Sequence, residues 1–325
     1  MPEIVVPGTI DSERQTPMTQ SPSAVVEDFL PADLALAMRE DIDRHFADPG
    51  HHTPQVHQVW NYWYVPGLYT YLRCSPGRVI SPERMQTFMR ILNRWSLETL
   101  GLSMVTHPYL SMYVSGCRQA WHNDSGNGRF AYVFSLTRDQ RATTGGQTLV
   151  MRAGDGLLNN LTRPSTEHRF FETIAPRFNR LVLFDDRAPH AVETVLGSMD
   201  PVEGRFVLHG HMSEGPTMVE GALPPEPVAE AIDAAVARFA QDHAVALAPF
   251  HGPLSLRLTI DPDGMSGECA ILLDRVLSPD PSAGGWDDLR ESLCERLEAI
   301  RYPASSGETV AIVPVMIGIR PLVLR

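Results

Sequence analysis

Trp121-His122-Asn123-Asp124 places a histidine and a carboxylate, two candidate ligating groups, two residues apart. Side chains at i and i+2 of an extended segment point to one face, so His122 and Asp124 converge on one ion if that segment is a strand. Far downstream, Ala188-Pro189-His190-Ala191-Val192 offers another imidazole on an apolar stretch. Two imidazoles and one carboxylate on one face of an ion, its other positions open, suit non-haem Fe(II) and oxygen chemistry. Zinc or manganese in the same triad, for hydrolysis or isomerisation, is the competing metal reading. In Gly204-Arg205-Phe206-Val207-Leu208 a guanidinium sits on what reads as the next strand, where it can fork onto a substrate carboxylate.

The elements that must position these groups are legible in the apolar pattern. Segments 104–114, 129–137, 147–152, 168–174, 180–185, 191–195 and 204–212 read as short strands separated by Gly, Pro, Asn and Asp, which predicts a sandwich or barrel. Ser125-Gly126-Asn127-Gly128 supplies the turn after Asp124, and Pro189 fixes the backbone ahead of His190. By parity Arg205, Val207, His209 and His211 share a strand face. His209 and His211 are therefore a rival ligand pair, but they lack a carboxylate in matching context and read better as structural residues. Upstream, Leu34, Met38, Ile42 and Phe46 recur every four residues and predict a helix from Pro31. Another is capped by Ser81 and started by Pro82, with Met85, Phe88, Met89, Leu92 and Trp95 inward and Gly101 as its stop. Between them, Gln58 to Tyr71 is dense in aromatics. It either roofs a pocket and excludes water, or packs plainly against the helices, the simpler reading.

Taken in order, Tyr113 through Asp124 (YVSGCRQAWHND), Gly128-Arg129 opening an apolar strand, Thr144 to Leu149 (TGGQTL), Phe178 to Val195 (FNRLVLFDDRAPHAVETV) and Arg205 carry a family likeness. They resemble the Fe(II)/2-oxoglutarate-dependent dioxygenases, in the prolyl-hydroxylase-like branch, over residues 25–214. The resemblance implies a mainly β fold with α, a double-stranded β-helix (jelly roll, cupin-like) buttressed by N-terminal helices. It implies His122, Asp124 and His190 as Fe(II) ligands, 2-oxoglutarate as co-substrate with its far carboxylate on Arg205, O2 as oxidant, and ascorbate as an accessory reductant. It also places at Tyr113 a tyrosine that hydrogen-bonds 2-oxoglutarate, although a buried tyrosine with another hydroxyl partner reads nearly as well. Ser135 stands where prolyl hydroxylases carry a further tyrosine near that carboxylate, a departure that leaves the partner of Arg205 open. Asp124 favours hydroxylation over halogenation, since related halogenases lack this carboxylate. The expected reaction is hydroxylation of an aliphatic C–H in an amino-acid, peptidyl (prolyl among them) or natural-product substrate, with release of succinate and CO2. A non-catalytic binding module on the same scaffold is the alternative. Residues that choose the substrate are expected in loops 50–80 and 154–168.

Composition narrows the classes. The 325 residues carry 39 acidic against 27 basic side chains, a net charge of −12, which argues against a nucleic-acid partner. Cys74, Cys117, Cys269 and Cys294 form no C-x-x-C, so neither a zinc knuckle nor a disulfide framework is indicated, and Cys117 reads as a small buried residue. Residues 1–24 read as a flexible arm without a signal peptide, and no stretch approaches a membrane span, so the expected setting is the reducing cytoplasm. After the dioxygenase-like stretch comes a Pro-rich linker, 215–228. Residues 229–325 then read as an α+β unit: a helix Ala229–Ala246, strand Leu254–Ile260, turn Asp261-Pro262-Asp263-Gly264, strand Gly267–Leu273, helix Trp286–Ile300 and strand Thr309–Ile319. This unit resembles the C-terminal domain of the TonB family. It is expected to be a docking or dimerisation module, or a stabilising appendage.

Overall fold

The computed structural model describes residues 23–47, 59–138, 141–151, 171–278 and 283–318. The expected N-terminal arm up to residue 22, the start of the 50–80 loop, the 154–168 loop and residues 152, 168–170 and 319 of three expected strands lie outside them. The chain divides into two compact units. The first comprises Ser21–Asn93 and Val105–Met212, the second Arg94–Met104 and Ser213–Arg325.

In the first unit α1 (Ala32–Ala47) and α2 (Pro82–Leu100, which runs on into the second unit) accompany strands β1 (Ser23–Val26), β2 (Asn61–Val65), β3 (Tyr69–Cys74), β4 (Met104–Val105), β5 (Tyr109–Tyr113), β6 (Arg118–His122) and β7 (Phe130–Ser135). There follow β8 (Thr143–Thr144), β9 (Thr148–Met151), β10 (Phe171–Ile174), β11 (Leu181–Asp185), β12 (His190–Val192), β13 (Leu196–Gly197) and β14 (Arg205–Ser213). Strand order is β1-β11-β7-β14-β5-β3-β6-β12-β9-β10, antiparallel at every pairing, and β2 flanks β3. β3 joins the two leaves of this curled sheet, pairing with β5 through Leu72–Cys74 and with β6 through Tyr69 and Thr70. The architecture is a double-stranded β-helix, mainly β with few helices.

Both buttressing helices form where the apolar spacing predicts them. α1 buries Ala35, Met38 and Ile42, while Leu34 and Phe46 are only half-buried. Leu34 and Phe46 stand in the first and last turns of the helix, at the ends of its buried face. The helix also carries Arg39, which is 1% exposed and donates to the carbonyls of Leu136 and Val202 at 2.9 and 2.6 Å. α2 packs Phe88 on Phe134 of β7, ring centroids 5.3 Å apart. Its start has the Arg84 N–H donating to Ser81 Oγ at 3.4 Å, and Gly101 ends it at φ +67°.

The second unit is a four-stranded antiparallel sheet, β15 (Met218–Gly221), β18 (Thr309–Ile317), β16 (Gly252–Ile260) and β17 (Ser266–Asp274) in that spatial order, with helices α3 (Pro225–Asp242) and α4 (Trp286–Glu298). Leu254, Leu256, Leu258 and Ile260 alternate into its core, where they meet Ile232, Phe239, Leu293 and Leu297. The Pro-rich stretch read as a linker contributes β15 and the first turn of α3. Proline is tolerated there because a helix's first N–H groups have no intrahelical acceptor to lose.

Candidate metal and co-substrate site

β6 and β12 are neighbours, and His122 is the cross-strand partner of His190. Their ring centroids lie 4.3 Å apart. Asp124 follows β6, its N–H held by the Asp186 carbonyl at 2.9 Å, with Oδ2 3.5 Å from His190 Nε2. Ligand atoms of His122, Asp124 and His190 all lie within 4.8 Å of one another.

The two imidazoles are oriented alike. His122 Nδ1 lies 2.7 Å from the Ala120 carbonyl and His190 Nδ1 3.1 Å from that of Ala188. A carbonyl can only accept, so each Nδ1 carries the proton and each Nε2 keeps its lone pair for a cation. Burial, then the neighbouring His190, lowers the pKa of His122. For Asp124 burial works upward, but hydrogen bonding to His190 and the charges of His190, His122 and His211 outweigh it and hold the carboxyl below its ordinary value. A lowered His122 and a lowered Asp124 both favour the protonation states that ligation needs, a neutral imidazole and an ionised carboxylate. This donor set fits Fe(II).

At the other end β14 lies against β5, Arg205 opposite Tyr113. Arg205 is 1% exposed, and its Nη2 donates to Thr148 Oγ1 at 3.2 Å. Its Nε and Nη1, though buried, have no hydrogen-bond partner. The guanidinium lies over the Tyr113 ring, 4.7 Å from its centroid, and the Tyr113 hydroxyl donates to Gln119 Oε1 at 2.9 Å. Tyr113 thus has a non-phenolic partner and also underlies the arginine. A buried cation presenting unmet donors is a receptor for a planar anion, and the far carboxylate of 2-oxoglutarate fits it. His122, Asp124, His190, Tyr113 and Arg205 all line one cavity of about 560 Å³.

Ser135 is not brought to this cavity. Its hydroxyl donates to the Pro176 carbonyl at 3.1 Å, tying the end of β7 to the segment between β10 and β11. A serine side chain is too short to do that and also reach Arg205. Thr148 meets the guanidinium instead. It enters β9 from the turn at Gly145 and Gly146, both at positive φ, where a Cβ on Gly145 would lie 2.1 Å from the Thr194 carbonyl oxygen.

The rival histidines part company. His209 Nε2 is 2.8 Å from Ser111 Oγ, whereas His211 Nδ1 is 3.1 Å from Asp186 Oδ2 and its Nε2 4.0 Å from Asp124 Oδ2. Asp124, Asp186 and His211 form a second group of atoms close enough to share a cation. Burial would lower the His211 pKa, but Asp186 and then Asp124 raise it overall, while burial raises that of Asp186. The sequence reading missed Asp186, whose one visible signal is the doubled aspartate four residues before His190. The aromatic stretch does both: Trp60 stacks on Phe46 of α1 at 5.9 Å between ring centroids, while in the hairpin that follows Trp63, Tyr69 and Tyr71 line the cavity and Tyr62 and Tyr64 are exposed.

A double-stranded β-helix with two imidazoles and a carboxylate on facing strands, and a buried arginine at the other end of the cavity, defines a non-haem metal oxygenase scaffold. Residues 108–212 match the family model described as 2OG-Fe(II) oxygenase superfamily. An uncharacterized PKHD-type hydroxylase from Synechocystis sp. is 32% identical over 107 residues, 31% of this chain and 34% of that protein. The chain thus matches about a third of the length of this curated relative. Among solved structures, a Pseudomonas putida prolyl-4-hydroxylase is 19% identical with a TM-score of 0.44, over 60% of this chain and 94% of that one. A Trichoplax adhaerens prolyl hydroxylase in complex with a hypoxia inducible factor peptide fragment is 14% identical with a TM-score of 0.43, over 58% and 81%. Over residues 108–212 the β-helix segment of this chain is thus similar to the 2OG-Fe(II) oxygenase superfamily. Among the described residues no helix is long and apolar enough to cross a membrane.

Proposed function

We propose that the first unit is a 2-oxoglutarate-dependent dioxygenase that hydroxylates an aliphatic C–H of an amino-acid or peptidyl substrate, prolyl residues included. One substrate C–H, one O2 and one 2-oxoglutarate become one C–OH, one succinate and one CO2, so no further oxidant is needed. One observation carries the reading: the His122, Asp124 and His190 donor set and the unpartnered donors of Arg205 line the same cavity.

Bound Fe(II) would supply the oxygen chemistry, with ascorbate as an accessory reductant. The protein's residues position and shield. His122, Asp124 and His190 would hold the metal by one face, leaving the rest for 2-oxoglutarate and O2. Arg205 would fix the far carboxylate, on a guanidinium that Tyr113 supports from below. Tyr69, packed on His122 at 5.3 Å between ring centroids, and Phe184, at 4.4 Å from His190, keep water from the metal end.

Succinate formation in a screen of free and peptidyl amino acids, with mass spectrometry for a gain of one oxygen atom, tests the reaction. The account predicts substrate-stimulated succinate and an oxygenated product. Tight zinc or manganese in anaerobically prepared protein, with no succinate under any condition, would move the triad to the hydrolase or isomerase reading. For residues 229–325 the proposed role is docking or dimerisation, which sedimentation of the full chain against one ending at residue 214 examines.

A further inference from the structure

Arg73 is the charged lining residue that the reading above does not use. β3 presents Tyr69, Tyr71 and Arg73 to the cavity as alternate residues. Tyr69 packs on His122, Tyr71 stacks on Tyr113 at 5.2 Å and 11°, and Arg73 stands one step further on, opposite Ser111 of β5. From Tyr69 to Arg73 the strand advances about 13 Å. The Arg73 guanidinium lies over two rings, 3.3 Å from the centroid of Trp63 and 4.1 Å from that of Tyr109. Rings against its faces leave the edge of the fork for hydrogen bonds, one of them to the Tyr71 hydroxyl, and the remaining donors suit a carboxylate.

The cavity's charges point the same way. Among its described lining residues Asp124 is the one carboxylate, and no carboxylate among the described residues is paired with Arg73. With Fe(II), Asp124, the two carboxylates of 2-oxoglutarate and Arg205 in place, these charges cancel. Nearby His209 adds none at neutral pH, since burial, then the charge of Arg73, pushes its pKa down to about 3. His211 is paired with the Asp186 carboxylate, so it adds no net charge, and the positive charge of Arg73 remains unmatched. A carboxylate balances it, whereas a phosphate monoester, carrying about −1.5 to −2, overshoots.

We propose that Arg73, held by Trp63 and Tyr109, is the substrate-recognition residue of this cavity and binds the free carboxylate of an aliphatic acid or short peptide, oxidised at a carbon remote from that carboxylate. The inference rests on the 2-oxoglutarate reading of the same cavity. It turns the choice between a peptide interior and a free acid toward the free acid.

The test uses the full chain loaded anaerobically with Fe(II) and 2-oxoglutarate, loading being followed by the visible absorption the two develop when bound together. Aliphatic dipeptides and N-acetyl amino acids, each as free acid and as carboxamide, are then titrated by calorimetry. At least one acid should bind, with its carboxamide about 10-fold or more weaker, as loss of a charge-assisted hydrogen bond requires. Arg73→Gln should abolish the preference for acid over amide while 2-oxoglutarate still loads with unchanged affinity, and Arg73→Lys should keep part of it. Were Arg73 merely a strut for the hairpin, Arg73→Gln would weaken acid and amide alike and leave their ratio intact. Equal binding of acid and amide by wild type, no binding by any member of the panel, or a preference that survives Arg73→Gln overturns the inference while the function stands. A wild type that never develops the absorption overturns both.

Discussion

The two ends of one cavity treat their buried polar groups in opposite ways. At the His122 end the groups are tied to protein partners: both ligand imidazoles to carbonyls and His211 to Asp186. At the Arg205 end a fully buried guanidinium keeps two donor nitrogens without partners. The first arrangement fixes lone pairs at one point and is complete but for a cation. The second is complete but for an anion, and each unmet donor costs the fold about 1–3 kcal/mol until one binds. A site that needs both suits a ligand anionic at each end, as the proposed co-substrate 2-oxoglutarate would be.

Substitutions can break this contrast, and the largest effect belongs to the metal end. Asp124→Ala should lower Fe(II) affinity by more than about 100-fold and abolish turnover, because loss of a ligand exceeds the 10–100-fold typical of its supporting partners; anaerobic metal titration checks this. Arg205→Met should weaken 2-oxoglutarate by about 10–100-fold, the worth of a charge-assisted hydrogen bond, yet raise the thermal stability of ligand-free protein by removing an unpartnered buried charge. A variant that is both weaker binding and less stable would show that Arg205 serves the fold rather than the co-substrate. Asp186→Asn should cost metal affinity about 10-fold, since it releases His211 beside Asp124. Unchanged affinity would make that cluster irrelevant to the metal.

The smallest expected effect is on pH dependence. His209 has a folded pKa lowered from 6.5 to about 3, so between those values the unfolded chain binds the extra proton. Stability contributed by neutral His209 is therefore present above pH 6.5 and lost as pH falls toward 3. His209→Gln, which can keep a hydrogen bond to Ser111, should flatten this slope of melting temperature against pH. An unaltered slope would assign it to other groups.

How much of this was legible in the sequence differs between local and long-range features. The H-x-D spacing, the Pro189-His190 pair and the face shared by Arg205 with His209 and His211 follow from period-2 geometry within single strands, and the structure gathers the triad as that geometry allows. The buttressing helices were readable from caps and apolar spacing, although a four-residue period overstated the burial of Leu34 and Phe46. What joins strands was not readable. Asp186 reaches His211 across 25 residues of chain, and Thr148 reaches Arg205 across 57. No local pattern marks either pair. Ser135 shows the reverse error: a position inherited from a resemblance kept its place in the strand, but its short side chain satisfied the nearest carbonyl. The aromatic stretch was ambiguous because its parts differ: Trp60 packs on helix α1, Trp63 borders the cavity, and Tyr62 and Tyr64 face outward.

The measurement closest to the central claim is an anaerobic titration of 2-oxoglutarate into Fe(II)-loaded protein, read by visible absorption in wild type, Asp124→Ala and Arg205→Met. The account predicts saturable absorption in wild type, its loss in Asp124→Ala, and the same absorption at about 10–100-fold higher 2-oxoglutarate in Arg205→Met. No absorption in wild type, or curves that coincide for all three proteins, would contradict a ligand bridging the two ends of this cavity.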